Sequence, residues 1–136
     1  MTLQVARIPV LSDNYVWLAH DPASGETAVI DPAVAEPVLA AAAERGWTIT
    51  QILNTHEHHD HTGGNDAVVA ATGAKVIAHY QAGGQIAGMD RGVRAGDVIK
   101  VGKTVELECL DTPGHTMCHI CLCAHGDRPA LFSGDT

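Results

Sequence analysis

A chain of 136 residues with 46% hydrophobic and 18% charged side chains is about one globular domain, long enough to bury a core, and not a disordered segment. Its formal net charge of −8, with only eight Lys and Arg scattered along the chain, argues against nucleic acid as a partner. No run approaches the ~18 apolar residues of a membrane span and no signal peptide is visible at the N-terminus, so a cytoplasmic protein without a membrane partner is expected.

In chain order, residues 3–9 and 14–20 read as short strands, and the turn cluster Asp21-Pro22-Ala23-Ser24-Gly25 precedes a third strand at 27–30. Asp31-Pro32 closes that strand. The alanine-rich stretch 35–45 reads as a helix, with Pro37 suited to its first turn, Gly46 just past its end, and Val38, Leu39 and Ala42 facing a sheet. A strand at 48–53 follows. Asn65 is placed to cap a helix through 67–72 that Gly73 terminates, and 75–78 resumes a strand. This alternation predicts α/β layering with helices outside a sheet. Residues 80–96, with five glycines, read as a loop with one helical turn; 97–101 and 104–110 read as a hairpin around Gly102-Lys103, and 120–124 and 130–132 as further strands. Cys121 and Cys123, in an alternating pattern, read with Cys109 and Cys118 as small apolar residues rather than a metal knuckle or disulfides.

Four of the nine histidines fall within six residues, in Thr55-His56-Glu57-His58-His59-Asp60-His61-Thr62-Gly63-Gly64-Asn65. A histidine-rich stretch can be a solvated surface, and for a lone His that is the better reading. Four histidines and an aspartate directly after a buried strand favour a metal site instead, because a zinc-like ion needs several nitrogen and oxygen ligands within one small sphere. Side chains two apart point the same way only on an extended chain, so His56 and His58 can grip one ion if the segment leaves its strand extended. Asp60 and His61 are neighbours and need a bend, which Gly63 and Gly64 permit. The pairs imply two adjacent metal positions, while His59 takes a structural or solvent role. His115, after Pro113-Gly114, and Asp135, after Gly134, each follow a strand and bring the count to the roughly six protein ligands that two metals need.

The first stretch resembles the T-H-x-H-x-D-H motif of the metallo-β-lactamase superfamily. Asp13-Asn14-Tyr15-Val16-Trp17-Leu18, Thr112-Pro113-Gly114-His115-Thr116 with His119-Ile120-Cys121, and Phe132-Ser133-Gly134-Asp135-Thr136 are similar to glyoxalase II in particular. The resemblance implies an αβ/βα sandwich with the site at the edge of two packed sheets. It implies that His56, His58 and His115 hold the first of two divalent metal ions, that Asp60 and His61 hold the second, and that Asp135 bridges them. Zinc is expected ahead of iron or manganese. The implied reaction is hydrolysis of S-2-hydroxyacylglutathione to glutathione and a 2-hydroxy acid, with Asp60 and Asp135 orienting the attacking water.

Members of that family continue past the Gly-Asp-Thr at which this sequence stops. The resemblance therefore implies that residues 1–136 are the N-terminal portion of the fold, without a C-terminal helical substrate-binding domain and without a further histidine for the second metal. Activity of the chain alone is then in question, and an exposed sheet edge invites self-association. Cys118 stands where the family usually has glycine. The alternatives are a persulfide dioxygenase-like protein with one iron, and a non-catalytic metal-binding half-domain.

Overall fold

The computed structural model describes residues 4–10, 14–55, 63–80, 89–94, 96–103, 105–111, 120–124 and 130–132. Their elements run β1 (Gln4–Val10), β2 (Asn14–His20), β3 (Glu26–Ile30), α1 (Ala35–Arg45), β4 (Thr48–Leu53), α2 (Asn65–Thr72), β5 (Lys75–His79), β6 (Arg91–Val93), β7 (Val98–Val101), β8 (Val105–Asp111), β9 (Ile120–Ala124) and β10 (Ala130–Phe132). A six-stranded sheet has the order β1-β2-β3-β4-β5-β6, and a four-stranded sheet the order β10-β9-β8-β7. Short connections make β1, β2 and β3 antiparallel, whereas β3, β4, β5 and β6 are parallel. Parallel neighbours need a crossover, and α1 and α2 supply it before β4 and β5.

The period-2 alternation of the strands sorts the core into two layers. Val29, Ile52, Val76 and Ala78 face the helices, where they join Val38 and Ala42 of α1 and Val68 of α2. Ala28, Ile30, Leu53 and Ile77 face the second sheet and meet Ile99, Val101, Leu107 and Leu122. Helices, six-stranded sheet and four-stranded sheet are thus stacked as three layers of the expected αβ/βα sandwich. A register shift opposite Thr27/Ala28 lets Ile49 and Ile52, three residues apart, share the helix face.

Most of the expected elements form within a residue or two of their predicted bounds. Gly46 ends α1 at φ 68°, as a left-handed C-terminal residue should. Two readings need correction. Asn65 does not cap α2: Gly64 takes that position without a side-chain cap, Asn65 is the first helical residue, and its amide is engaged elsewhere. Part of 80–96 is not loop, since Arg91–Val93 forms β6, whose three parallel pairs to β5 are supplied by tertiary context rather than by its own sequence. Cys109 behaves as a small apolar residue, fully buried between the sheets, and burial, reinforced by Asp97, pushes its thiol up to about 11. Cys118 lies outside the described residues. Among the described residues no helix is long and apolar enough to cross a membrane.

The two sheets are tied at one end by a buried carboxylate. Asp21, in the turn between β2 and β3, accepts from the Lys103 N–H at 2.6 Å and the Ser24 hydroxyl at 2.7 Å through Oδ2, and from the Ala23 N–H at 3.3 Å through Oδ1. Gly102, at φ 64°, brings the β7–β8 turn so close that a Cβ there would collide with the Asp21 carboxylate and the Ser24 hydroxyl. This contact orients the molecule. Because β3 and β8 both start at the tied end, both finish at the opposite end.

Candidate metal centre

The finishing end of the parallel strands is where the candidate ligands leave the fold. Residues 56–62, with His56, His58, Asp60 and His61, follow β4 and Thr55. Residues 112–119, with His115, join β8 to β9, whose last pair at that end is Asp111 with Ile120. Residues 133–136, with Asp135, follow β10, whose Phe132 is paired to Leu122 near the same end of β9. Strand direction and register therefore end β4, β8 and β10, the strands that precede the three segments, at one edge of the sandwich. Sites in α/β sheets form at this edge, beyond the carboxyl ends of the strands. His56, His58, Asp60, His61, His115 and Asp135 themselves, and His59, lie outside the described residues. The described residues alone contain no group of three His, Cys, Asp or Glu side chains placed to hold a metal ion.

The described structure does show how the flanks of the histidine-rich segment, 56–62, are held. At its start, Thr55 is fully buried and is gripped by Asp31, which closes β3: the Thr55 N–H donates to Oδ1 at 2.7 Å and the Thr55 hydroxyl to Oδ2 at 2.6 Å. Asp31 is the non-glycine residue at positive φ, 55°, among those described. Aspartate tolerates that conformation better than most residues, and here it turns the chain off β3 while its carboxylate reaches across to β4. The strand ladder continues right to the edge, with Asp31 N–H to Leu53 O at 2.9 Å and Asn54 N–H to Ile77 O at 3.0 Å.

At the segment's far end the Gly64 N–H donates to the Pro32 carbonyl at 2.7 Å. A Cβ on Gly64 would stand 2.6 Å from that carbonyl oxygen and 2.9 Å from the Ala35 nitrogen, so only glycine permits the approach. The base is closed by an amide pair: Asn65 Nδ2 donates to Asn54 Oδ1 at 2.7 Å and Asn54 Nδ2 to Asn65 Oδ1 at 3.4 Å, both residues buried. The dipeptide Asp31-Pro32 thus anchors the residues on either side of 56–62, one through its side chain and one through its backbone. These buried polar groups are mutually satisfied, which fixes the frame rather than weakening it.

Sequence reasoning missed Asp31, Asn54, Gly64 and Asn65 in these roles. Asp31-Pro32 reads as a strand stop, and Asn65 as a helix cap. The signal that could have found them is joint: polar residues at the ends of two apolar strands need buried partners, and the partners on offer are each other. A polar cleft of about 620 Å³, bounded by Glu26, Gln51, Lys75, Arg91 and Lys100, opens among the first residues of the parallel strands and is not part of this edge.

Comparison with known proteins agrees with the geometry. Residues 10–136 match the Metallo-beta-lactamase superfamily. The chain is 72% identical over 123 residues to a Polaromonas sp. protein named hydroxyacylglutathione hydrolase, covering 90% of this chain and 47% of that one. It is 50% identical over 135 residues to a protein of the same name from Rhodospirillum rubrum, covering 99% of this chain and 52% of the relative. The chain spans about half the length of the curated relatives it matches. Among solved structures it is similar to ETHE1 from Myxococcus xanthus, at TM-score 0.77 and 32% identity over 95% of this chain and 56% of that one. It is also similar to a metallo-beta-lactamase from Staphylococcus aureus, at TM-score 0.81 and 26% identity over 99% and 44%.

Proposed function

Because the chain belongs to the metallo-beta-lactamase superfamily, we propose that it carries the metal-binding half of a hydrolase that converts S-2-hydroxyacylglutathione to glutathione and a 2-hydroxy acid. The observation that carries this reading is the 72% identity, over nine-tenths of the chain, to a protein named for that activity. In it, residues 1–136 form the N-terminal portion of a metallo-β-lactamase-fold domain in a cytoplasmic protein.

His56, His58 and His115 would hold one divalent cation, Asp60 and His61 a second, and Asp135 both. The donor set fits: imidazole nitrogen and carboxylate oxygen suit zinc and are compatible with iron or manganese. When bound, such cations supply positive charge to a carbonyl oxygen and acidify water near neutral pH. The residues of this chain do the positioning. Asp31 fixes the backbone one residue before His56, the Asn54–Asn65 pair closes the base of the segment, and Asp60 and Asp135 are the carboxylates that orient the attacking water. Self-association is part of the same reading, supported by β10 pairing only with β9 among the described residues.

The test is hydrolysis of S-D-lactoylglutathione by this chain beside a version extended past Thr136, with bound metal quantified in both. About two metal ions per extended chain, turnover by it, and loss of both on chelation are expected. One iron per chain with oxygen consumption and no thioester cleavage would replace this reading with the mononuclear iron oxygenase. Metal without turnover in either version would leave only a metal-binding half-domain.

A further inference from the structure

Among the described residues, one cation at the candidate edge, Arg94, faces an aromatic ring rather than a carboxylate. Tyr80 and Arg94 stand one step beyond the last β5–β6 pair, His79 with Val93, so the ladder makes them cross-strand neighbours. The Arg94 guanidinium lies over the Tyr80 ring, 4.4 Å from its centroid. Tyr80 is 44% exposed, and its ring is also stacked on the buried His79 ring at 4.8 Å. Gly92 keeps the place clear: a Cβ there would come within 2.7 Å of the Tyr80 Cα. No ion pair to Arg94 forms among the described residues; its backbone N–H, not its guanidinium, is what Asp97 takes up.

We propose that the Tyr80–Arg94 pair is a carboxylate-binding lip of the substrate site, which receives a terminal carboxylate of the glutathione moiety; this rests on the hydrolase reading given above. Three points carry it. Strands in a sheet lie ~4.8 Å apart, so the end of β6 is roughly 10 Å from the end of β4, where the metal-binding segment begins. The thioester sits on the central cysteine of glutathione, and that side chain together with the long γ-glutamyl arm spans roughly 10 Å, about three residue lengths at ~3.5 Å each, so a thioester held at the metals can present a carboxylate here. A chain of net charge −8 repels an anionic substrate unless local cations face it, and a guanidinium held on an aromatic face keeps its N–H fork free for a carboxylate.

The test measures equilibrium binding of glutathione and of glutathione diethyl ester to the metal-loaded chain and to its Arg94→Ala, Arg94→Lys and Tyr80→Leu variants, with circular dichroism to confirm folding. Steady-state turnover of S-D-lactoylglutathione is followed in parallel. The expected result is about tenfold weaker glutathione binding by Arg94→Ala, partial recovery in Arg94→Lys, a smaller loss in Tyr80→Leu, and no difference between wild type and Arg94→Ala for the diester. Where turnover occurs, the loss falls on KM and not on kcat. Equal glutathione binding by wild type and Arg94→Ala, an equal loss for the diester, or no binding by wild type overturns the lip. Arg94-dependent glutathione binding without turnover leaves the lip standing and removes the hydrolase reading alone.

Discussion

Two buried aspartates stand at opposite ends of the six-stranded sheet and use the same chemistry for different ends. Asp21 gathers a hydroxyl and two backbone N–H groups, one of them from Lys103 of the other sheet, 82 residues away in sequence. Asp31 gathers a hydroxyl and a backbone N–H from one residue, Thr55, next to the first candidate ligand. The first joins two layers of the sandwich, and the second fixes the residue that precedes the candidate metal-binding segment. Buried charge is costly unless fully hydrogen-bonded, so each carboxylate commits its neighbourhood to one arrangement. At the Asp31 end that rigidity sits beside the first candidate ligand in the sequence, His56.

The largest expected effect is at Asp31. Asparagine is as tolerant of positive φ as aspartate, so Asp31→Asn keeps the turn and removes the charge and one of two oxygen acceptors. Losing a charge-assisted acceptor costs about 2–3 kcal/mol of stability, and metal affinity should fall by about tenfold or more, as for other groups that orient ligands. Denaturant unfolding and zinc titration of the folded variant measure the two separately. Unchanged metal affinity would reduce Asp31 to a second copy of Asp21.

Asp21→Asn sharpens the contrast from the other side. It should cost a similar ~2–3 kcal/mol, because the Lys103 and Ser24 bonds converge on one charged oxygen. Metal affinity of the folded protein should stay within about twofold, since distant sites act independently. A matched loss of metal affinity in both variants would mean that the two ends are coupled and the comparison fails.

Gly64→Ala tests the backbone half of the clamp. The added Cβ meets a carbonyl and a peptide nitrogen, neither of which can rotate away, so ~1–3 kcal/mol of destabilisation is expected. Gly46→Ala is its control: nothing lies within 4 Å of a Cβ there, and only the positive φ resists the substitution, by about 1 kcal/mol. Gly64, at φ −93°, has no positive φ to lose, so a Gly64→Ala melting temperature at or above that of Gly46→Ala would show that the close approach relaxes at little cost and that glycine is not required there.

The legible part of this molecule is what alternation and punctuation encode. The neighbours Ile52 and Leu53 point to different layers, and the apolar run that contains them reads as a strand because both faces are covered. The candidate metal stretch stands out in the sequence because histidine and aspartate at that density have few other uses. What stayed hidden depends on partners distant in sequence. β6 is three residues with a central glycine and exists through β5; Asp31 needs a φ that no composition announces; Asn65 satisfies cap statistics, yet its amide is claimed by Asn54, eleven residues earlier. The six candidate ligands are a different case: the sequence alone names them, and the described fold supplies the edge at which the strands preceding them end.

The smallest expected effect is a pH dependence confined to the Asp21 end. His20 is buried, hydrogen-bonded through Nδ1 to the Thr27 hydroxyl at 2.8 Å and stacked on Trp47 at 4.2 Å. Burial lowers its pKa below the ordinary 6.5, and the neighbouring Asp21 opposes this only in part. The folded state therefore binds fewer protons than the unfolded state just below pH 6.5, so the contribution of His20 is fully present above that value and is lost as pH falls from it toward the lowered folded pKa. The chain has eight other histidines, so the informative quantity is the difference between wild type and His20→Gln, measured as melting temperature from pH 7.5 to 5. The gap should narrow on acidification, because glutamine carries no proton to gain. With saturating zinc present, wild type should lose further stability on acidification, because protons compete with a bound metal for its ligands, while the His20→Gln difference keeps its shape. A zinc-dependent change in that difference would show that the two ends answer to one another, which two independently clamped aspartates do not allow.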